Sequence, residues 1–478
     1  MRAKQANARA VIMVARRAKP NFTEGPIFWR LFFFTVPIIL TGLLQVMYNM
    51  ADNIVVGRFS GDEQALAAIG QTGTFNTFIV NTFIGLSSGA GIVAAQLFGA
   101  NRRRELSRSI HTATLFSIIS GLALCALALI VARPMLSLMV KPELLDKSTL
   151  YILVICAGYP ALSIYNTGAA IVRSLGDSRT PLIILALSGL SNVLMNLLFV
   201  IVFRMSIVGV ALATVISQYA AAAAVLVLMM RQTDEGCTLH IGELRIDRGM
   251  LKRILSLGVP ASIQSGVFSI SNMMLTSAIS TFPVETISGN TIAGNLDNVT
   301  YTCMNSFSSS VMTFAGQNYG AMKRDRIWRV FIYSLIQVTV IGIFIAQTEL
   351  LFAHPLASLF VDAKAEAKEL IIEQAIIVMN VILNFYFLCG IYGVLAGFIR
   401  GLGNSTGPMI TAVSTVLAVR SIWIYVFFPM HRDRIDWLLL CYPITWIITV
   451  LMNCIILVFT AKKLKFGKKD AEAEPHKI

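Results

Sequence analysis

Charge is what this chain has least of. Only 13% of its 478 residues are Asp, Glu, Lys or Arg, against about a quarter in soluble domains. Apolar residues make up 56% and the mean hydropathy is +0.72. An ordinary water-soluble globular protein is thereby excluded, and the bilayer becomes the relevant solvent. Histidine is scarce as well: five residues, at 111, 240, 354, 431 and 476, mostly in polar connections. There is no His-Glu-x-x-His and no Gly-x-x-x-x-Gly-Lys, so neither that zinc site nor a phosphate loop for ATP hydrolysis is encoded. An intramembrane enzyme would need a nucleophile with a base, or a ligand cluster. The pattern offers neither, and no cofactor or structural metal is expected. Cysteine is limited to seven residues, an odd number without a CxxC pair, and six of them (125, 156, 303, 389, 441, 454) fall in or beside apolar stretches. They read as small buried hydrophobes rather than a disulfide framework.

What is present is a succession of apolar runs. A spanning helix needs about 20 apolar residues at roughly 1.5 Å each, and the chain divides into twelve such segments, near 28–56, 65–98, 107–132, 150–172, 181–203, 206–230, 253–282, 286–318, 327–348, 370–399, 408–429 and 435–461. The formal charge of +14 would raise the question of nucleic acid in a soluble protein. Here the basic excess lies between the apolar runs and instead reports membrane orientation. Placing both termini in the cytoplasm puts 29 of the 39 Lys and Arg on the inner side, with nine outside and Arg420 within a span. The acids of the outer connections include Asp362, Glu366 and Glu369. An odd number of spans would destroy this alternation. The expectation is a multi-pass protein of the cell membrane, in contact with lipid and without a nucleic-acid partner. Residues 1–27 form a basic cytoplasmic tail whose apolar patch, Val11 to Ala15, is too short for a signal peptide, and 462–478 form a polar, charged tail.

The two halves repeat. Arg173-Ser-Leu-Gly-Asp-Ser-Arg-Thr-Pro181 matches Arg400-Gly-Leu-Gly-Asn-Ser-Thr-Gly-Pro408, and at the same offset Tyr165 matches Tyr392. Val36-Pro37 matches Val259-Pro260. Gln96-Leu-Phe-Gly-Ala-Asn-Arg102 matches Gln317-Asn-Tyr-Gly-Ala-Met-Lys323. Ordered landmarks at offsets of 221 to 227 indicate a duplication. Six spans per repeat is an even number, so both halves insert with the same orientation and are related by a pseudo-twofold axis along the membrane normal. The expected fold is therefore all-α, twelve transmembrane helices in two six-helix lobes, 28–230 and 253–461, joined by a cytoplasmic linker, 231–252. A central cleft between the lobes suits alternating access. The glycine-rich Gly85-Leu-Ser-Ser-Gly-Ala-Gly91 lies inside an apolar helix and reads as close helix packing.

These residues carry a family resemblance. The first-span pattern Val36-Pro37 followed by Tyr48-Asn-Met-Ala-Asp52-Asn-Ile-Val-Val-Gly-Arg58, the Gln-x-x-Gly-Ala closing spans two and eight, and the repeated Arg-x-Leu-Gly-(Asp/Asn)-Ser resemble the multidrug and toxic compound extrusion transporters over about residues 25–462. The resemblance implies export of bulky, often cationic organic compounds in exchange for protons or sodium ions.

Asp52 is the first coupling candidate. A continuous helix from residue 27 places it roughly 37 Å along the axis, in the outer part of a tilted span. A carboxyl in a poorly solvated cleft can take a proton from outside and release it when the cleft reopens to the cytoplasm. An interfacial Asp52–Arg58 pair is the plainer alternative. Asn192 and Asn196 share one face of span five, and Thr214 of span six reaches the same level. In the archaeal and DinF-like branches of the family, Asn-x-x-x-Asp stands at the span-five positions and joins the first-span Asp and sixth-span Thr in a cation or proton site. Here the second position is Asn196, which removes one carboxylate and suits a proton, while sodium bound by Asp52, Asn192, Asn196 and Thr214 stays open. The same asparagines would also serve to bind helices together. The NorM-like branch carries acids in spans seven and ten. Neither Pro260–Phe268 nor 374–400 contains one, which favours the DinF-like arrangement.

Two further charges fall within spans. Asp297, near the midplane of span eight, is either a contact for a cationic substrate or half of a structural pair with Arg420 of span eleven. Glu285 belongs to the outer rim, and His111 reads as a satisfied helix-interface histidine. Tyr48 is the cleft residue best placed to stack on a flat cation. Met47, Met273 and Met274 offer adaptable apolar surface. Two other functions remain in view. A flippase for lipid-linked saccharides shares the wider superfamily but usually lines its cleft with several bases, whereas Arg420 is the one clear intramembrane base here. A passive channel would give flux without uphill coupling.

Overall fold

The computed structural model describes residues 21–59, 63–140, 142–232, 234, 236–361 and 367–463. Most of the two tails, and the connection containing Asp362 and Glu366, lie outside the described residues. The described chain is helical, and its long elements follow the twelve apolar runs. They are α1 (Ile27–Phe59), α2 (Glu63–Gly99), α3 (Arg103–Met139), α4 (Pro142–Cys156 and Tyr159–Ser174), α5 (Arg179–Val202), α6 (Ser206–Met230), α7 (Arg248–Ile279), α8 (Val284–Gly320), α9 (Arg324–Leu351), α10 (Lys368–Leu383 and Tyr386–Gly401), α11 (Thr406–His431) and α12 (Ile435–Lys462). Nine of these pass as membrane spans by length and apolarity alone, and the bent pairs α4 and α10 bring the number to eleven. The twelfth, α8, is 37 residues long but carries Asp297 and a run of Asn, Ser and Thr that dilutes its hydropathy.

Several expected boundaries shift for local reasons. α4 begins at Pro142 rather than 150 and bends by 47°, and α10 bends by 43°. The two breaks fall at corresponding places in the repeat. α7 starts at Arg248 rather than 253 because Asp247 caps it, its side chain accepting from Met250 N. The linker is correspondingly shorter, and it is docked on α3: His240 N donates to His111 Nε2 at 3.0 Å and Asp247 N to Thr112 Oγ1 at 3.0 Å. His111 also bonds Ser107 O through Nδ1 at 2.7 Å. The imidazole is thus satisfied at both nitrogens, in keeping with an interface histidine, and this engagement speaks against a metal shared by His111, His240 and Glu243, although their ligand atoms lie within 4.8 Å.

The repeated motifs have a structural meaning. Gly176 and Gly403 adopt φ of 97° and 92°, the left-handed conformation that ends a helix and that glycine takes without penalty. The next residue caps the following helix: Asp177 Oδ1 accepts from Arg179 N and Thr180 N, and Asn404 Oδ1 accepts from Gly407 N, each at 3.0 Å. Leu-Gly-(Asp/Asn)-Ser is thus a stop followed by a start, used once in each half.

Packing divides the chain into two halves that exchange helix segments. The linker-end half of α1 (Ile27, Leu31, Phe34, Ile38) belongs to a core built mainly from α8 to α12, whereas Val55 and Val56 near its other end pack with α2 to α6. α7 does the reverse, with Ile254 and Leu257 in the first-half core and Leu275 and Ile279 in the second. Glycines permit the close approach: a Cβ on Gly85 would meet Ser262, and one on Gly89 would meet Gly258. Hydrogen bonds between the halves run from the linker end, where Lys323 Nζ donates to Thr23 O, to Asn81 Nδ2 and Ser269 Oγ within α2 and α7.

Candidate coupling site

The sequence candidates of the first half come together where α1, α5 and α6 meet. α1 runs against α5, and Tyr48 fixes the register. Its hydroxyl donates to Ala186 O at 3.1 Å, and its ring lies over Gly189, where an added Cβ would fall 1.9 Å from Cε2. One turn further on, Asp52 meets the next polar positions of the same α5 face. Asn196 Nδ2 donates to Asp52 Oδ1 at 2.5 Å and stands 3.3 Å from Asn192 Oδ1. Asn192 lies between Asp52 and Thr214. With its amide nitrogen toward Asp52 it donates to Oδ1 at 2.9 Å, and its oxygen accepts from Thr214 N at 3.3 Å. In the opposite orientation the nitrogen donates to Thr214 Oγ1 at 3.4 Å and the oxygen faces Asp52, which requires a protonated carboxyl.

Burial makes these contacts consequential. Asn192 is 5% exposed and Asn196 0%, while Asp52 and Thr214 are half-buried. A carboxylate removed from water needs donors, and two amides supply them. Asp52 and Arg58 form no ion pair. Asn196 Oδ1 is buried without a partner. As a trial sodium site, the cluster offers oxygens from Asp52, Asn192, Asn196 and Thr214. However, Asn196 presents its nitrogen to Asp52, and an N–H at that distance occupies the place a cation bridging the two side chains would need.

Tyr48 is partly exposed and joins the α1–α5 contact through Ala186 and Gly189. Met47 and Met273 are more than half exposed, and Met274 packs inward against the second core.

In the second half, of the two readings of Asp297, the pair with Arg420 is not formed among the described residues. Arg420 donates through Nη1 to Asn272 Oδ1 at 2.9 Å and Ser271 Oγ at 3.4 Å, and its guanidinium lies 4.4 Å from the Tyr442 ring centre. Neutral oxygens of α7 and an aromatic face of α12 thus hold the charge, at 2% exposure. Asp297 turns toward Tyr386, and its Oδ1 is buried without a partner. Near it lies a residue that sequence reasoning passed over: Glu349 of α9, whose Oε1 accepts from Thr300 Oγ1 at 2.8 Å while Oε2 is unpartnered. Its sequence signal was faint, since the predicted ninth span stopped at 348 and left Glu349 outside.

Twelve helices in two repeated halves, meeting at one end and enclosing polar clusters in apolar helices, define a membrane transporter rather than an enzyme. The MatE family model matches twice, over residues 37–198 and 260–426, and the chain belongs to that family. It is 26% identical over 423 residues to the probable multidrug resistance protein YoeA of Bacillus subtilis, covering 86% of this chain and 87% of that one. It is 25% identical over 400 residues to the probable multidrug resistance protein NorM of Thermotoga maritima, covering 80% and 82%. The fold is similar to the crystal structure of MATE in complex with MaL6, with a TM-score of 0.85, 20% identity, and coverage of 92% of this chain and 99% of that one.

Proposed function

We propose that the protein exports bulky organic compounds, cationic ones among them, across the cell membrane by alternating access, in exchange for protons carried by Asp52. The observation that supports this reading most directly is the amide N–H of Asn196 donated to Asp52 inside the α1–α5 contact. In the outward-open state Asp52 takes a proton from outside. The neutral carboxyl no longer needs two amide donors, and Asn192 turns its oxygen to accept the new O–H. The α1–α5 contact is thereby altered at the helix that also packs on the opposite lobe, which links protonation to lobe movement. Return to the cytoplasm-facing state exposes the group to a more alkaline medium, and the proton leaves.

In this reading residues 28–230 and 253–461 are the moving lobes, and the linker and both termini are cytoplasmic. The arrangement is the DinF-like one, with coupling in the first lobe. Asp297 and Glu349, with unpartnered oxygens in the second lobe, supply negative potential for cationic cargo. The names of the relatives above, multidrug resistance proteins, support organic compounds as cargo.

The test is ethidium transport in proteoliposomes under separately imposed proton and sodium gradients, with the intact protein and Asp52→Asn. Uphill movement driven by the proton gradient and lost in the variant is the expected result. Movement driven by sodium alone would replace the proton with sodium at the same cluster. No gradient-driven movement of organic cations would overturn drug export and bring the lipid-linked saccharide flippase forward.

A further inference from the structure

The landmark Gln-x-x-Gly-Ala has a structural role at the junction of the lobes. Gln96, near the end of α2, donates through Nε2 to Gly401 O at the end of α10, at 2.9 Å. Gln317, its repeat counterpart near the end of α8, donates through Nε2 to Ser174 O at the end of α4, at 2.7 Å. Ser174 and Gly401 are themselves repeat counterparts. Each half thus places a glutamine on the final turn of the other half's bent helix, and the two bonds are related by the pseudo-twofold. Both glutamines are buried, at 4% and 0% exposure. Their acceptors are last-turn carbonyls that have no partner within their own helix.

The glycine of the same motif explains how the helices come close enough. A Cβ on Gly99 would lie 1.9 Å from Gln317 O, and a Cβ on Gly320 would lie 1.9 Å from Gln96 O. The backbones of α2 and α8 touch at both symmetry-related points, and only glycine fits there. Each amide is also oriented from its oxygen side. Gln96 Oε1 accepts from Arg253 Nη2 at 2.7 Å, and Gln317 Oε1 accepts from Phe22 N at 3.0 Å. Phe22 is itself held to the second half, stacked on Phe314 at 3.9 Å.

We infer that Gln96 and Gln317 form a reciprocal clasp that is the linker-side gate of the transport cycle, closed when the opposite side is open. The physical reasoning is that both bonds cross the lobe interface, so no opening at this end keeps them. When the lobes part, water entering from that side solvates the amides and the carbonyls, so release costs only the small net worth of each bond. A gate of this kind holds firmly when dry and lets go when wetted. The inference rests on the alternating-access reading above, but not on which ion drives it or what cargo moves.

The experiment places spin labels at Arg104 and Asp325, exposed positions on opposite lobes at the linker end, in a background lacking the accessible thiols of Cys125 and Cys454. Distance distributions are recorded in nanodiscs for the parent, Gln96→Leu, Gln317→Leu and the double variant, with size-exclusion profile and melting temperature as folding controls. Each single variant is expected to raise the ratio of long to short distances roughly fivefold, and the double variant by more than either. Should the leucine variants not fold, Gln317→Glu removes the donor at nearly constant size, and Gly320→Ala forces the same contact apart from the backbone side. An unchanged distribution in folded clasp variants, or in this second pair, overturns the inference. A shifted distribution in a protein whose parent moves no substrate keeps the clasp and refutes drug export, so the two failures are distinguishable.

Discussion

Asn196 donates its amide N–H to Asp52 Oδ1 at 2.5 Å, from a position where the residue itself is 0% exposed. One partner is on α1, which crosses between the lobes, and the other on α5, which stays within the first. A proton on Asp52 is therefore felt at the contact between a helix that packs on both lobes and one that belongs to the first, and the first expectations concern it.

Asn196→Asp adds a second carboxyl beside Asp52. Two acids in one buried cluster create demand for a cation that a single acid and an amide lack. Sodium should then stimulate transport or raise the melting temperature in the variant while leaving the parent unmoved, read by transport under a sodium gradient and by thermal shift with NaCl against choline chloride. An equal sodium response in both proteins would contradict the proton assignment.

Gly189 leaves room for the Tyr48 ring, and valine there would overlap it. Gly189→Val is expected to cost about 1–3 kcal/mol through overpacking and to weaken proton-driven transport as Asp52 moves off Asn196. Tyr48→Phe keeps the ring and loses only the bond to Ala186 O, costing about 1 kcal/mol. Comparison of the two melting curves separates shape from hydrogen bonding.

Arg420 and Asp297 occupy the same lobe without pairing. A double-mutant cycle with Arg420→Met and Asp297→Asn should therefore be additive within about 0.5 kcal/mol. A direct buried pair would instead show strong coupling, because removing one partner strands the other. Denaturation midpoints in detergent supply the measurement.

His111 holds the linker to α3 by accepting from His240 N. His111→Ala leaves that N–H without its partner, at a cost of about 1–3 kcal/mol, and should make the chain more readily cut by trypsin at Arg245. Tryptic fragment patterns over time report this directly, and an unchanged cleavage rate would mean that the linker is held by its other contacts.

Much of the architecture was legible because membrane insertion follows composition. Twelve apolar runs, alternating basic connections and repeated landmarks led to twelve helices in two like halves, and Gly85 and Gly89 of the glycine-rich stretch make a tight contact with α7. The site was legible for the related reason that polar residues are few in apolar helices: Asp52, Asn192, Asn196 and Thr214 stand out by their scarcity and do converge. What the sequence left open was which face each residue presents and to what. Tyr48 packs its ring against Gly189, and Asp297 and Arg420, both charged and both intramembrane, turn to different neighbours.

Length, hydropathy and charge alternation are additive along the chain, so the number of spans, the duplication and the scarcity of intramembrane charge were settled by the sequence itself. Pairing is not additive, because it depends on rotation about each helix axis and on how closely two backbones approach. Only the tertiary structure parted Asp297 from Arg420, brought Glu349 to Thr300, and set Gln96 and Gln317 on each other's lobes, since in each case a packing geometry spread over several helices selects the partner.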